Sequence, residues 1–218
     1  MIIDKLSSIQ NEIQEKIRNR DNSNLKPIII AVSKTYTMLD IVPLIEHGHM
    51  HYGENKVQEA IDKWTEVKIK NNKILLHLIG KLQTNKVKFA VKIFDYIHSL
   101  DSEKLAQKIA TEQIKQNKKM KIFIQVNIGN EDQKSGVNKK DVASLYKYCK
   151  KLNLNVIGTM CIPPKEKSST NYFLEMVKIN KELNLSDLSM GMSEDYLEAV
   201  DNNATFLRIG SKIFGQRN

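Results

Sequence analysis

Short apolar runs alternate with longer amphipathic stretches along the whole chain. The runs fall at 28–33 (IIIAVS), 49–52 (HMHY), 74–79 (ILLHLI), 93–98 (IFDYIH), 121–127 (KIFIQVN), 154–160 (LNVIGTM), 187–190 (DLSM) and 205–209 (TFLRI). Runs of this length, rich in β-branched and aromatic residues and bounded by turn residues, predict strands. Between them apolar positions recur three and four apart, as Leu105, Ala106, Ile109 and Ala110 do after SLDSE, which predicts helices. Helix-start signals follow at Asp101-Ser102-Glu103, at Asp141 and at Ser193-Glu194-Asp195, where short side-chain oxygens can take up free backbone N–H groups.

Strict alternation of strand and helix implies a parallel sheet, because a parallel neighbour needs a crossover connection. Eight such units at this length predict closure into a (β/α)8 TIM barrel rather than an open doubly wound sheet. The open-sheet alternative lacks its Gly-rich fingerprint, since AVSKTYT follows the first run where GxGxxG would stand. No linker or shift in composition divides the chain, so residues 1–218 are expected to form one domain. CIPPKEKSSTN at 161–171 is expected to be one βα loop.

Composition narrows the setting. No apolar run approaches membrane-spanning length, and the start MIIDKLSSIQNEIQEKIRNR is charged and helix-periodic, unlike a signal peptide. A soluble, cytoplasmic protein is expected. Cys149 and Cys161 have neither metal-ligand spacing nor the number a disulfide framework wants. The net charge of +9 raises nucleic acid as a partner, but lysines scattered between apolar positions, as in KLAQKIATEQIKQNKKMK, describe solvated helix faces rather than one basic stripe. No nucleic-acid or membrane partner is expected.

A barrel gathers the C-terminal ends of its strands at one mouth, where chemistry is placed. Lys34 follows the row Ile30 and Val32, and Arg208 shares a face with Phe206, so each cation emerges from an apolar row. A lysine in such surroundings has a lowered pKa and can condense, as a neutral amine, with an aldehyde. SMGMSED and RIGSKIFG, after the seventh and eighth runs, supply the small residues, hydroxyls and N–H groups of a phosphate cup. Lysine and cup together describe pyridoxal phosphate. Gly53, Gly80, His98 and Ser99 are expected to be turn residues. His47, His49 and His51 form an HxHxH array, but His47 is expected to end a helix, and no Asp or Cys completes a metal shell. The expectation is partly exposed histidines at the bottom of the second strand. Trp64, with Val57, Ile61 and Val67 on one helix, is expected in the core.

AVSKTY, YGENKVQEA, HLIGKLQTNK, VNIGNEDQKSG, GTMCIPP, LSMGMSEDYLEAV and LRIGSKIFGQR resemble, in order, the motifs of the YggS/PROSC family of pyridoxal phosphate homeostasis proteins. The resemblance runs from Ala31 to Arg217. It implies a single-domain barrel similar to the N-terminal domain of alanine racemases, which binds pyridoxal 5'-phosphate and has no established turnover. It makes Lys34 the Schiff-base lysine, Ser193, Gly210 and Ser211 the phosphate-binding positions with the Met192 backbone beside them, Arg208 the partner of the pyridine nitrogen, and Asn55 a neighbour of the ring hydroxyl. A guanidinium can only donate, so an arginine there keeps the ring nitrogen unprotonated and the cofactor a weaker electron sink.

The resemblance implies a non-catalytic protein that stores, buffers or delivers the cofactor in the cell, as a monomer, with pyridoxal-phosphate-dependent apo-enzymes as its recipients. The alternative is an enzyme of racemase or other imine-using type built on Lys34. Against it, no second domain to bring an opposing base is expected after RIGSKIFG. Tyr36 stands where the family often has a second lysine, Lys134 keeps a family lysine that could serve as a secondary amine, and Ser211 replaces a common threonine.

Overall fold

Eight parallel strands close on themselves in chain order, the last pairing with the first. They are β1 (Ile28–Val32), β2 (His51–Glu54), β3 (Leu75–Leu78), β4 (Tyr96–Leu100), β5 (Lys121–Val126), β6 (Val156–Cys161), β7 (Asp187–Ser189) and β8 (Phe206–Ile209). The structure is a computed structural model that describes residues 1–19, 25–131, 133–164 and 168–215. Part of the loop expected at 161–171, and Gln216 and Arg217 of the last motif, lie outside the described residues. The architecture is the expected TIM barrel.

The helices are α1 (Ile2–Arg18), α2 (Met38–Glu46), α3 (Val57–Lys70), α4 (Val87–Ile93), α5 (Glu103–Lys115), α6 (Val142–Lys151), α7 (Ser169–Glu182), α8 (Tyr196–Asp201) and the single turn α9 (Ser211–Phe214). Side chains on a strand point alternately to its two faces, and this alternation divides the core in two. Ile29, Ala31, Leu76, Leu78, Ile97 and Leu207 pack outwards under the helices. Ile30, Tyr96, Phe123, Met160 and Phe206 fill the barrel interior. Leu6, Ile9 and Ile13 form the buried stripe of α1, which lies along α8, α9 and α2 and completes the outer helical layer. Trp64 is wholly buried, as expected.

Three strands sit later than their apolar runs, β6 by one or two residues (156–161 against 154–160). β2 occupies 51–54 rather than 49–52 because the ladder extends through Gly53 and the buried Glu54, and an acid does not register as apolar. β4 occupies 96–100 rather than 93–98. Ile93 ends α4 and Phe94 caps it, so their burial is helical.

Candidate functional site at the C-terminal mouth

In a closed parallel barrel every strand ends on the same side, so the sequence-predicted residues share one face of the molecule. Lys34 is half-buried two residues beyond the end of β1. The ladder continues to Ser33, whose N–H donates to the Gly53 carbonyl at 3.0 Å. The chain then turns sharply: the Tyr36 N–H returns to the Ser33 carbonyl at 3.1 Å, and Thr35 takes a left-handed φ of 70°. That conformation is an outlier for a β-branched residue and persists only where the surroundings enforce it.

The enforcing groups lie beneath the turn. Glu59 Oε1 accepts the Thr35 N–H at 2.7 Å, and Lys63 Nζ donates to the Ser33 carbonyl, to Glu54 and to Glu59, each at 3.0 Å. Glu54 Oε1 also accepts from Ser33 Oγ at 2.8 Å and from the Trp64 indole at 2.9 Å. Burial pushes the Glu54 carboxyl above its ordinary range, against the pull of Trp64, Lys63 and Ser33. At Glu59 burial also pushes upward, but the Thr35 N–H and Lys63 outweigh it and hold that carboxyl low.

The residues expected to form the anion cup lie next door. Because β1 pairs with β8 with Ala31 opposite Ile209, Gly210 lies against Val32 and Ser211 opens α9 beside the turn that carries Lys34. Ser193 Oγ accepts the backbone N–H groups of Gly210 and Lys212, both at 3.3 Å. With its lone pairs so engaged, its hydroxyl hydrogen remains for an incoming acceptor. Ser211 is exposed, and Gly210, Met192 and Ser193 are half-buried. The Met192 N–H donates to Asp195 Oδ1 at 2.6 Å, so that backbone group is already engaged. Asn55 is half-buried at the end of β2.

Arg208 is 4% exposed. Nη1 donates to Ser189 Oγ at 2.7 Å and Nη2 to the Cys161 carbonyl at 2.8 Å. No carboxylate forms an ion pair with it among the described residues. Burial lowers its pKa from the ordinary guanidinium value. A buried cation held only by neutral acceptors keeps three N–H donors for other acceptors. Tyr36 is turned to the chain's far end: its ring stacks on Phe214 at 4.6 Å and its hydroxyl donates to the Gly215 carbonyl at 2.8 Å. Lys134 is paired with Glu131 and donates to the Pro163 carbonyl at 3.4 Å.

The HxHxH histidines lie where expected: His47 caps α2, and His49 and His51 are half-buried at the start of β2. His51 also bonds to His77 inside the barrel. Gly53, His98 and Ser99, expected as turn residues, are buried strand residues, and His77 is buried on β3. The available signal was register parity: Leu75 and His77 alternate on β3 as Tyr96 and His98 do on β4, and Leu75 and Tyr96 both face the interior.

The model of the alanine racemase N-terminal domain matches residues 6–218. A pyridoxal phosphate homeostasis protein of Aquifex aeolicus is 34% identical, covering 98% of this chain and 97% of its own length. The chain belongs to the family of pyridoxal phosphate homeostasis proteins. Another member, from Buchnera aphidicola, is 36% identical over 94% of this chain and 93% of its own. The solved structure of PipY from Synechococcus elongatus without pyridoxal phosphate is 33% identical, with a TM-score of 0.82 over 93% of this chain and all of that one. The PipY structure with pyridoxal phosphate bound is 32% identical, with a TM-score of 0.79 over the same shares. Family members therefore share this barrel over essentially its whole length. Among the described residues no helix is long and apolar enough to cross a membrane.

Proposed function

We propose that the chain binds pyridoxal 5'-phosphate at the C-terminal mouth, attached through Lys34, and serves its homeostasis in the cytoplasm by storing, buffering or delivering it without catalytic turnover. The observation that carries this reading is the adjacency of the Lys34 turn on β1 to the Ser193–Gly210–Ser211 cup on β7 and β8, above a buried Arg208 with only neutral partners. These donors fit the group: the hydroxyls of Ser193 and Ser211 suit a phosphate, and a guanidinium suits an unprotonated ring nitrogen. Bound there, the cofactor supplies an aldehyde that condenses with amines.

Lys34 holds the aldehyde end, with the Thr35 turn fixed by Glu59 and Lys63 to keep its backbone in place. Ser193, Gly210 and Ser211 hold the phosphate, Met192 borders it, Asn55 lies near the ring hydroxyl, and Arg208 donates to the ring nitrogen. Racemisation would need acid-base groups on both faces of a substrate carbon. The phenol nearest to Lys34 in sequence, Tyr36, has its hydroxyl committed to Gly215. The barrel acts as one domain over 1–218, as a monomer, and hands the cofactor to apo-enzymes that depend on it.

The test is uptake of pyridoxal phosphate by the purified protein, followed by borohydride reduction and peptide mapping. A visible absorbance band and an adduct on Lys34 are expected. An adduct on Lys81 or Lys212 with Lys34 unmodified overturns the assignment, and no uptake overturns the function.

A further inference from the structure

A column of rings runs up the inside of the barrel, and the binding reading leaves it unused. His51 Nδ1 lies 3.0 Å from His77 Nε2, His77 Nδ1 lies 2.9 Å from His98 Nε2, and His98 Nδ1 lies 2.8 Å from Ser189 Oγ. Ser189 Oγ in turn accepts from Arg208 Nη1 at 2.7 Å. The rings cannot easily rotate. His77 is stacked on Tyr96 at 4.1 Å and His98 on Phe123 at 4.3 Å.

The column has two conceivable directions of donation, and its upper end chooses between them. Arginine can only donate, so Ser189 must accept from it. The other partner of Ser189 Oγ among the described residues is His98. If His98 Nδ1 carried the proton, Ser189 would accept twice and its own hydrogen would be buried without an acceptor, at the cost of a lost hydrogen bond. With the opposite direction everything is satisfied. Ser189 donates to His98 Nδ1, His98 Nε2–H to His77 Nδ1, and His77 Nε2–H to His51 Nδ1. His51 is only half-buried, at a groove it shares with Pro27, Ile28, His47 and His49, so its remaining N–H can reach water.

We infer that Ser189, His98, His77 and His51 form a hydrogen-bonded strut of fixed direction that holds the Arg208 guanidinium in place from below and so tunes the ring that Arg208 faces. These are positioning residues, and the effect on the ring rests on the binding reading above. The direction of the strut does not. The charged and titratable groups around it are Arg208 at the top, Tyr96 alongside, and His49, Lys121, Asp95 and Lys68 towards the bottom. Burial, and then the neighbouring cations or imidazoles, hold His77 and His98 neutral, as a strut of neutral rings requires.

Two measurements test it. In the cofactor-free protein labelled with 15N-histidine, long-range proton–nitrogen correlation is expected to show His77 and His98 as neutral Nε2–H tautomers from about pH 8 to about pH 5. An Nδ1–H tautomer, or titration of either ring in that range, overturns the fixed direction. In the second, folded Ser189→Ala and His98→Phe variants should bind pyridoxal phosphate roughly tenfold more weakly, the scale of one hydrogen bond to a charged group, with a displaced absorbance band. Ser189→Thr, which keeps the hydroxyl, should restore both. A wild-type band and affinity in Ser189→Ala overturn the tuning role. If the wild type takes up no cofactor, the function proposed above fails, and the strut stands or falls on the tautomers alone.

Discussion

Gly80 packs so closely on Asn55 that a Cβ placed on it would stand 2.3 Å from the Asn55 carbonyl oxygen and 2.8 Å from its Cα. The obstacle is backbone, which cannot swing away as a side-chain tip can. Gly80 is therefore more than a turn residue at the end of β3: it sets where the end of β2 lies. Gly80→Ala should destabilise the protein by about 1–3 kcal/mol, as overpacking does, and should also weaken cofactor binding by displacing Asn55. Urea midpoints and spectroscopic titration read the two effects separately. A destabilised variant with unchanged affinity would show that Asn55 is not part of the site.

Ser193→Ala should matter more than Ser211→Ala. Ser193 Oγ ties the loop after β7 to the N–H groups of Gly210 and Lys212, whereas Ser211 is exposed. Loss of Ser193 should cost about 1 kcal/mol of stability and about 1.5–3 kcal/mol of phosphate affinity. The double variant should still attach cofactor to Lys34 at saturation. Unchanged affinity in the double variant would move the phosphate elsewhere.

Stability should fall in mild acid. Burial, with His49 and Lys121, lowers His51 to about 4, and His77 and His98 lie well below their ordinary value. The unfolded rings take up protons near their ordinary pKa while the folded ones do not. Their contribution is thus full above about pH 6.5 and shrinks as pH falls, by about 1.4 kcal/mol per pH unit for each ring. Glu54, whose folded pKa is raised, works the other way, losing stability as pH rises. His51→Gln isolates one ring: between about pH 6 and pH 4.5 its unfolding free energy should fall less steeply than the wild type's by about one proton's slope. Equal slopes would place His51 in a solvated environment.

Saturated protein incubated with L-alanine in deuterium oxide should show, at most, slow deuterium entry at Cα with retention of configuration. One lysine acting from one face accounts for that outcome. D-alanine appearing at many turnovers per second, followed by NMR and chiral chromatography, would establish the enzymatic alternative and a second base.

The barrel was legible because its evidence is repetitive. Eight apolar runs with helical spacing between them leave few topologies, and the order of the motifs placed Lys34, Ser193, Gly210 and Arg208 at strand ends. The strand ends were not legible, because buried polar residues interrupt the apolar pattern that reveals strands. Glu54 hid the end of β2, and His98 and Ser99 resembled the start of a loop. The support beneath Lys34 was equally hidden: Glu59 and Lys63 are ordinary charged positions on a helix until α3 brings them under the turn after β1. Side-chain partnership of that kind depends on which face each element buries, and spacing along one element does not report it.

The pairing of β1 with β8 has a consequence for the order of events during synthesis. Lys34 is made early, but the strand that flanks it and the loop that would clasp a phosphate come from the last part of the described chain. Such long-range closure is slow compared with local helix formation. Until β8 slots in, β1 has an open edge, and the Lys34 amine has no neighbouring anion cup. On the binding proposed above, capture of a reactive aldehyde is reserved for the finished barrel, and a half-made chain would offer the aldehyde no better lysine than any other on its surface.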